Sequence, residues 1–406
     1  MKKKQGFTLI ELLAVVVILA IVALISVPLI MNVIDGARKG ALQNTAYGIA
    51  EAGKYAFTNE VIKDGSANFT AYSYEDGVET SSPTGKSLNY KGEKPKVGTI
   101  LINSKGDIAM SIYNGKYCAE KGFDDVEVTV SEKVEADCVL VEELTEVEVL
   151  VVAGGGSGGT NHACGTITGA GGGGAGGLIY NAAYSVIPGE IIDITVGAGG
   201  VSPATCGPGG NGGSSSFGTI ETIGGGGGGY RTGLPLAGGS GGGTGFFSAV
   251  GGLGTPSQGF DGGSSVGSVY GGSGGGGASE VGGFSTGNIG TVGGNGLQFS
   301  ISGTSTWYAG GGGGGSHEAD PGGNGGSGGG GNGGSNSNGT SALLNTGGGG
   351  GGSGDEGYIG GNGGSGVVVV RYFGPQRADG GAVTIAGDYT VHTFTSGTAT
   401  FTPSDL

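Results

Sequence analysis

Between residues 154 and 366, 87 of 213 positions are glycine. A stretch so poor in side chains cannot build an ordinary apolar core, and glycine loses more conformational freedom on ordering than any other residue. Its backbone groups must either stay in water as a flexible linker or satisfy one another in a regular array. A collagen triple helix is excluded, because no strict triplet period exists and the whole chain has only 11 prolines. Four features oppose a linker. Apolar runs bound the block, VEVLVVA at 147–153 and VVVV at 367–370; it contains Cys164 and Cys206; apolar anchors punctuate it (Phe217, Phe246, Phe247, Trp307, Tyr308); and its glycines come in Asn-Gly-Gly and Gly-Gly-Ser elements rather than one monotonous repeat. The expectation is a bundle of polyproline-II-like glycine helices. Each has three residues per turn and no internal hydrogen bonds, so its donors and acceptors must find neighbouring helices. Strand-like islands at 178–180 and 191–196 interrupt the block, with Pro188-Gly189 as a turn.

The rest of the chain has ordinary composition. It opens MKKKQG, followed by an apolar run over 7–34. About 20 apolar residues suffice to cross a bilayer as a helix, and Lys2, Lys3 and Lys4 should hold the N-terminus in the cytoplasm. No small-residue cleavage site follows the run, so an ordinary secretory signal fits poorly. Glu11 is a lone carboxylate early in it, and a charge placed inside a bilayer marks function by default. Beyond the run, Ala41, Tyr47, Ala50, Lys54 and Phe57 sit at helical spacings, which extends the helix to about Asn59. Residues 7–59 would span about 80 Å at the α-helical rise. Gly36, Gly40, Gly48 and Gly53 each weaken that helix by about 1 kcal/mol relative to alanine, while letting helices approach closely. Residues 60–146 read as a small β-rich head. A hairpin is expected over 97–117 around the turn at 103–107, with further short strands at 126–130 and 139–141.

The net charge is −15. Residues 147–406 carry 3 basic and 13 acidic side chains. So acidic a chain lacks the electrostatic footprint of a nucleic-acid binder and is instead kept soluble by its charge. The four cysteines, Cys118, Cys138, Cys164 and Cys206, form no CxxC pair, so the spacing of a structural zinc site is missing. In an exported protein an even count points to two disulfides rather than free thiols. Three pairings are open, of which Cys118–Cys138 with Cys164–Cys206 keeps each bridge inside one domain.

Gly6-Phe7-Thr8-Leu9-Ile10-Glu11-Leu12-Leu13 resembles the cleavage and methylation motif of type IV prepilins. The resemblance covers residues 1–35 and implies that a membrane-embedded prepilin peptidase cuts between Gly6 and Phe7 and methylates the new amine of Phe7. It implies that Glu11, fifth after the cut, pairs with the N-terminal amine of a neighbouring subunit during assembly. A buried carboxylate needs such a partner. Pro28 falls where many pilins carry a helix-breaking proline, at a place that could melt in a filament. The stretches VEVLVVAGGG (147–156), GAGGGGAGG (169–177), ITVGAGG (194–200), NGGSSSFG (211–218) and GSGVVVVRY (364–372) resemble a glycine-rich domain of bacterial and phage surface proteins. That resemblance implies a surface module rather than an enzyme. In it, a strand pair like residues 382–403 precedes VEVLVVAGGG. Here it follows, and either completes the domain or begins a second copy.

In this background GxGxxG carries no dinucleotide signal, and no GxxxxGK[ST] is present. His162, His317 and His392 are isolated in sequence. A His317/Glu318/Asp320 cluster has metal-binding residue types, but an exposed polar loop fits it better. Trp307 and Tyr308 could stack on sugars or serve as packing anchors. No nucleophile–base arrangement stands out. The expected architecture is therefore α+β: leader 1–6, pilin helix 7–59 with its transmembrane half at 7–34, β head 60–146, glycine-rich domain 147–373 and a C-terminal β tail 374–406. The expected role is that of a non-enzymatic subunit of an extracytoplasmic filament, held in the cytoplasmic membrane before assembly and at the cell surface after it. Its partners would be the peptidase, other pilin subunits and a surface or host ligand, with no nucleic acid, metal or cofactor. Two functions compete: a minor pilin displaying an adhesive domain, and a pseudopilin of a type II secretion or DNA-uptake machine with the glycine-rich block as spacer. A membrane-retained hydrolase is disfavoured by the missing catalytic constellation.

Overall fold

A computed structural model describes residues 8–64, 70–82, 87–102, 106–123, 125–138, 140, 144–165, 167–246, 250–267, 269–387 and 389–404. The chain divides into two compact units, residues 1–142 and 143–405.

The first unit is built on one helix, α1 (Leu9–Asp64). Its first half is an apolar cylinder, with the large side chains from Leu9 to Ile34 exposed. The second half turns amphipathic. Leu42, Ala46 and Ile49, spaced four and three residues apart, are buried on one face. The helix outlasts the expected end at Asn59, because residues 60–64 (EVIKD) contain neither glycine nor proline. It also runs unbroken through Pro28, so the break expected there is absent from the free chain. A proline costs its helix one amide donor and a ring clash.

Six antiparallel strands face α1: β1 (Thr70–Glu75), β2 (Val78–Ser82), β3 (Val97–Ile102), β4 (Ile108–Tyr113), β5 (Tyr117–Lys121) and β6 (Thr129–Glu132), in the order β2-β1-β3-β4-β5-β6. The expected hairpin is β3–β4, with Ile102 opposite Ile108 and Ile100 opposite Met110; its turn residues 103–105 lie outside the described residues. Ile100, Ile102, Ile108, Met110 and Ile112 close the core over Leu42, Ala46 and Ile49. Burying each large aliphatic side chain contributes about 1.5–3 kcal/mol. At Gly53 the helix comes so close to the sheet that an added Cβ would lie 2.8 Å from Ile108 Cδ1. The expected strand at 126–130 is displaced to β6, because Val126 points to solvent and only Val128 is buried. At 139–141, Leu140 is in no strand, and Val139 and Val141 lie outside the described residues. The β1–β2 turn, Asp76-Gly77, has left-handed φ at both residues (48° and 77°), the geometry for which Asp-Gly is suited in a two-residue hairpin loop.

The second unit has three parts. Its strands are β7 (Glu146–Val152), β8 (Leu178–Ser185), β9 (Ile192–Val196), β10 (Ser215–Phe217), β11 (Ile220–Thr222), β12 (Leu297–Phe299), β13 (Thr306–Tyr308), β14 (Val367–Phe373), β15 (Ala378–Asp379), β16 (Ala382–Ala386), β17 (Tyr389–Phe394) and β18 (Gly397–Pro403). Two sheets, β16-β17-β14-β7-β8 and β11-β10-β9-β18-β15, sandwich a core that includes Val149, Val151, Val368, Val370, Ile194, Phe217 and Phe401. The alternate residues of the central strands, Leu150, Val152, Val367 and Val369, face the β12–β13 hairpin side with Ile301, Tyr308, Ala175 and Ala309. Both faces of β7 and β14 are thus covered, which explains their nearly continuous apolar sequences. The C-terminal strands belong to this unit: β17 pairs with β14, and β18 with β9. The tail completes the sandwich.

The third part is the glycine block, which lies in neither helix nor strand over most of its length. Its hydrogen bonds follow a three-residue period. In the run 154–160, Gly154 and Ser157 donate to Gly213 and Gly210, Gly155 and Gly158 to Gly364 and Gly361, and Gly156 and Gly159 to Gly174 and Gly171. The carbonyls of the same run accept from three further segments: Gly154 and Ser157 from Gly225 and Gly228, Gly156 and Gly159 from Gly350 and Ser353, and Gly155 from Gly200. Three neighbours by donation and three by acceptance give hexagonal packing of three-fold helices, as the polyproline-II period requires. Runs 169–177 and 309–316 sit in the same environment. At most glycine positions of the lattice no side chain fits: a Cβ on Gly173 would fall on the carbonyl oxygen of Gly156, and one on Gly312 on that of Gly350, while the side chains the runs do carry, such as Ser157, Ala170 and Ala175, are small. Backbone pairing thus replaces an apolar core here.

Candidate functional site

Two regions bear on function, one in each unit. At the start of α1, Thr8 and Glu11 cap the helix reciprocally. The Thr8 amide and hydroxyl each donate to Glu11 Oε2 at 2.9 Å, and the Glu11 amide donates to Thr8 Oγ1 at 3.3 Å. This capping box satisfies amides that the first helical turn leaves without partners. Thr8 was legible as T-x-x-E before an apolar run, and its engagement means that Glu11 has an intramolecular partner in the free chain. Gly6 and Phe7 lie outside the described residues. α1 is long and apolar enough to cross a membrane.

In the second unit the glycine runs carry the chain back and forth between the sheets and a cluster of loops. β7 leads directly into Gly154, Gly177 into β8 and Gly366 into β14. At their other ends the runs turn through 161–165, 201–206, 230–235, 316–321, 335–338 and 354–359. These loops are tied together. Cys164 is bonded to Cys206, and Cys118 to Cys138 in the first unit, so each bridge stays within its unit. Arg231 donates from its main chain to Asn161 Oδ1 and from its guanidinium to the Cys164 carbonyl. The Phe246 and Tyr270 rings stack at 4.9 Å, and Tyr270 lies 4.7 Å from His317. The His317 amide reaches the Asn288 carbonyl at 2.9 Å. Around this frame Ile167, Leu234, Val250, Val266, Tyr270 and Ile289 are exposed.

The remaining sequence candidates separate. Phe217, Phe246 and Tyr308 are buried anchors, whereas Trp307 is 43% exposed on β13; Phe247 lies outside the described residues. His392 is fully buried in the sandwich. Its Nδ1–H donates to the Gly380 carbonyl at 2.7 Å, which leaves Nε2 to accept from the Tyr372 hydroxyl at 3.0 Å. Burial holds its pKa below the ordinary imidazole value. Among the described residues no group of three His, Cys, Asp or Glu side chains is placed to hold a metal, so His317, Glu318 and Asp320 form no such cluster.

The apolar helix with its glutamate five residues after Gly6 is that of a pilin- or pseudopilin-type subunit, and residues 1–27 match the prokaryotic N-terminal methylation motif. The motif implies processing by a prepilin peptidase and assembly with other pilins, and with the apolar helix it fits a membrane-anchored pilin. Residues 132–373, more than half of the chain, match the glycine-rich domain family, and the chain belongs to that family. No curated protein matches the chain. The family match stops at β14, although β17 and β18 pair into the same two sheets.

Proposed function

We propose that this chain is a minor pilin that presents its glycine-rich unit on a cell-surface filament as an adhesive module, without catalytic activity. The supporting observation is the gathering of loops and exposed apolar side chains at one end of a hydrogen-bonded glycine lattice. Recognition surfaces are commonly loops held on a rigid scaffold. Apolar side chains such as Leu234 and Val266, exposed at 68% and 60%, supply contact area for a surface or host ligand. α1 supplies the assembly function, with Glu11 passing from its Thr8 cap to the amine of a neighbouring subunit. Immunogold electron microscopy of whole cells, with antibody to residues 154–366, tests the reading. Gold on external filaments, concentrated at their ends, is the expected result. Label confined to the envelope would favour a pseudopilin whose glycine block is a spacer.

A further inference from the structure

We propose that the membrane-proximal end of the first unit binds one anionic phospholipid, holding its headgroup phosphodiester between Arg38 and Lys91. The inference rests on the reading of α1 as a membrane anchor. After Glu11 the next charge along α1 is Asp35, so residues 12–34 carry none. That stretch spans about 34 Å at the helical rise, enough to cross a hydrocarbon core of about 30 Å. Arg38 follows Ile34 by four residues, or about 6 Å, which places it at the depth of the outer headgroups. There a groove of about 360 Å³ opens between α1 and residues 91–93, with Arg38, Asn44, Lys91, Glu93 and Asn114 in its lining.

Close backbone approach holds the groove's walls. A Cβ on Gly48 would lie 3.3 Å from the Lys91 carbonyl oxygen, and one on Gly92, whose φ is 138°, would fall on Thr45 Oγ1. Asn114 is fixed as well: its Oδ1 accepts from the Lys116 and Tyr117 amides at 3.2 and 2.9 Å, which leaves Nδ2 as a donor. The two cations are free to meet a ligand. Asp35, the carboxylate nearest Arg38 along the helix, is taken by Lys116 at 3.0 Å. Among the described residues Arg38 and Lys91 form no ion pair, and both side chains are exposed. A guanidinium, an ammonium and an amide donor suit a singly charged phosphodiester, which arginine can bind through two parallel bonds. Glu93 is the one carboxylate in the lining. It opposes the higher charge of free phosphate but can accept from a headgroup hydroxyl, such as those of glycerol. A choline headgroup has no hydroxyl and brings a cation into a groove that is already positive.

The test titrates the full chain, in a non-ionic detergent, with short-chain phosphatidylglycerol and counts bound lipid by native mass spectrometry. The expected result is one saturable lipid per chain, with short-chain phosphatidylcholine bound about fivefold more weakly or worse. Arg38→Gln and Lys91→Gln should each weaken phosphatidylglycerol binding about fivefold, the worth of one cation near an anionic headgroup. Both side chains are exposed, so the variants should melt as the wild type does, which checks that the head is intact. Lys63→Gln removes the same charge in the last turn of α1 and should change nothing. Inorganic phosphate at the lipid's concentration should not displace it. Displacement by phosphate would assign the groove to a free anion and overturn the lipid. Equal binding of the two lipids, or an equal loss in Lys63→Gln, would reduce the effect to general attraction and overturn the site. Because the titration reads the groove in micelles, either failure leaves the filament reading to its own test by immunogold labelling.

Discussion

Gly173 and Gly287 are chemically identical and energetically opposite. A Cβ at Gly173 would collide with a backbone carbonyl of the lattice, whereas one at Gly287 meets nothing within 4 Å. Gly173→Ala is expected to destabilise the second unit by about 3 kcal/mol or more, the upper end of overpacking costs, because backbone rather than a flexible side chain must yield. Gly287→Ala should stay within about 0.5 kcal/mol of wild type; paired thermal melts would check both. At His392 the sign is set by burial. The folded protein disfavours the imidazolium, while the unfolded chain takes up its proton near the ordinary pKa of 6.5. Stability is therefore full above that pH and falls as pH drops from about 6.5 toward the depressed folded value, by at most about 1.4 kcal/mol per pH unit. Melting temperatures recorded between pH 7.5 and 5 should show the fall, and His392→Gln should flatten it.

At the scale of elements, legibility in the sequence followed periodicity. The apolar run that became the first half of α1, the β3–β4 hairpin and the strands β7 and β14 carried strong local patterns. The end of α1 and the position of β6 did not: the helix ran on through 60–64, which hold no glycine or proline, and β6 was displaced because Val126 is exposed while Val128 is buried. The Asp76-Gly77 hairpin had a usable signal in its dipeptide. The lattice could be anticipated in kind from the glycine excess, but not its neighbours, because a glycine run carries no side chain to distinguish one partner from another. The loop end was legible only in scattered residues: nothing in the spacing of Phe246, Tyr270 and His317 indicated that they meet. The two disulfides act on separate elements. In the chain-entropy estimate a 42-residue closure such as Cys164–Cys206 contributes about 4 kcal/mol, and the 20-residue Cys118–Cys138 about 3 kcal/mol. Replacing Cys164 and Cys206 with alanine should raise amide exchange in 161–165 and 201–206 first and leave the α1 head unaffected, as hydrogen-exchange mass spectrometry would show.

For the whole molecule, the assembly function rests on a segment far simpler than the unit it carries. Glu11→Ala should leave processing intact but lower incorporation into filaments, measured as the sheared-filament fraction against total protein; normal filament levels would count against pairing with a neighbour's amine. Replacing Gly6 with a bulky residue should leave an uncut precursor in the membrane, and a processed N-terminus in that variant would overturn the assigned cut site.

The lattice has a consequence for how such a protein can diversify. Its packing is made mainly by main-chain atoms, with a few small side chains such as Ser157 and Asn211 accepting from glycine amides, so most side chains in the turns between runs are not consulted when the interior forms. Insertions, deletions and new side chains can accumulate at 161–165, 230–235, 316–321 or 354–359 while each glycine run keeps its length and phase. Selection by a changing host or surface would then be recorded almost entirely in those turns, and two descendants could differ completely in what they touch while sharing one interior.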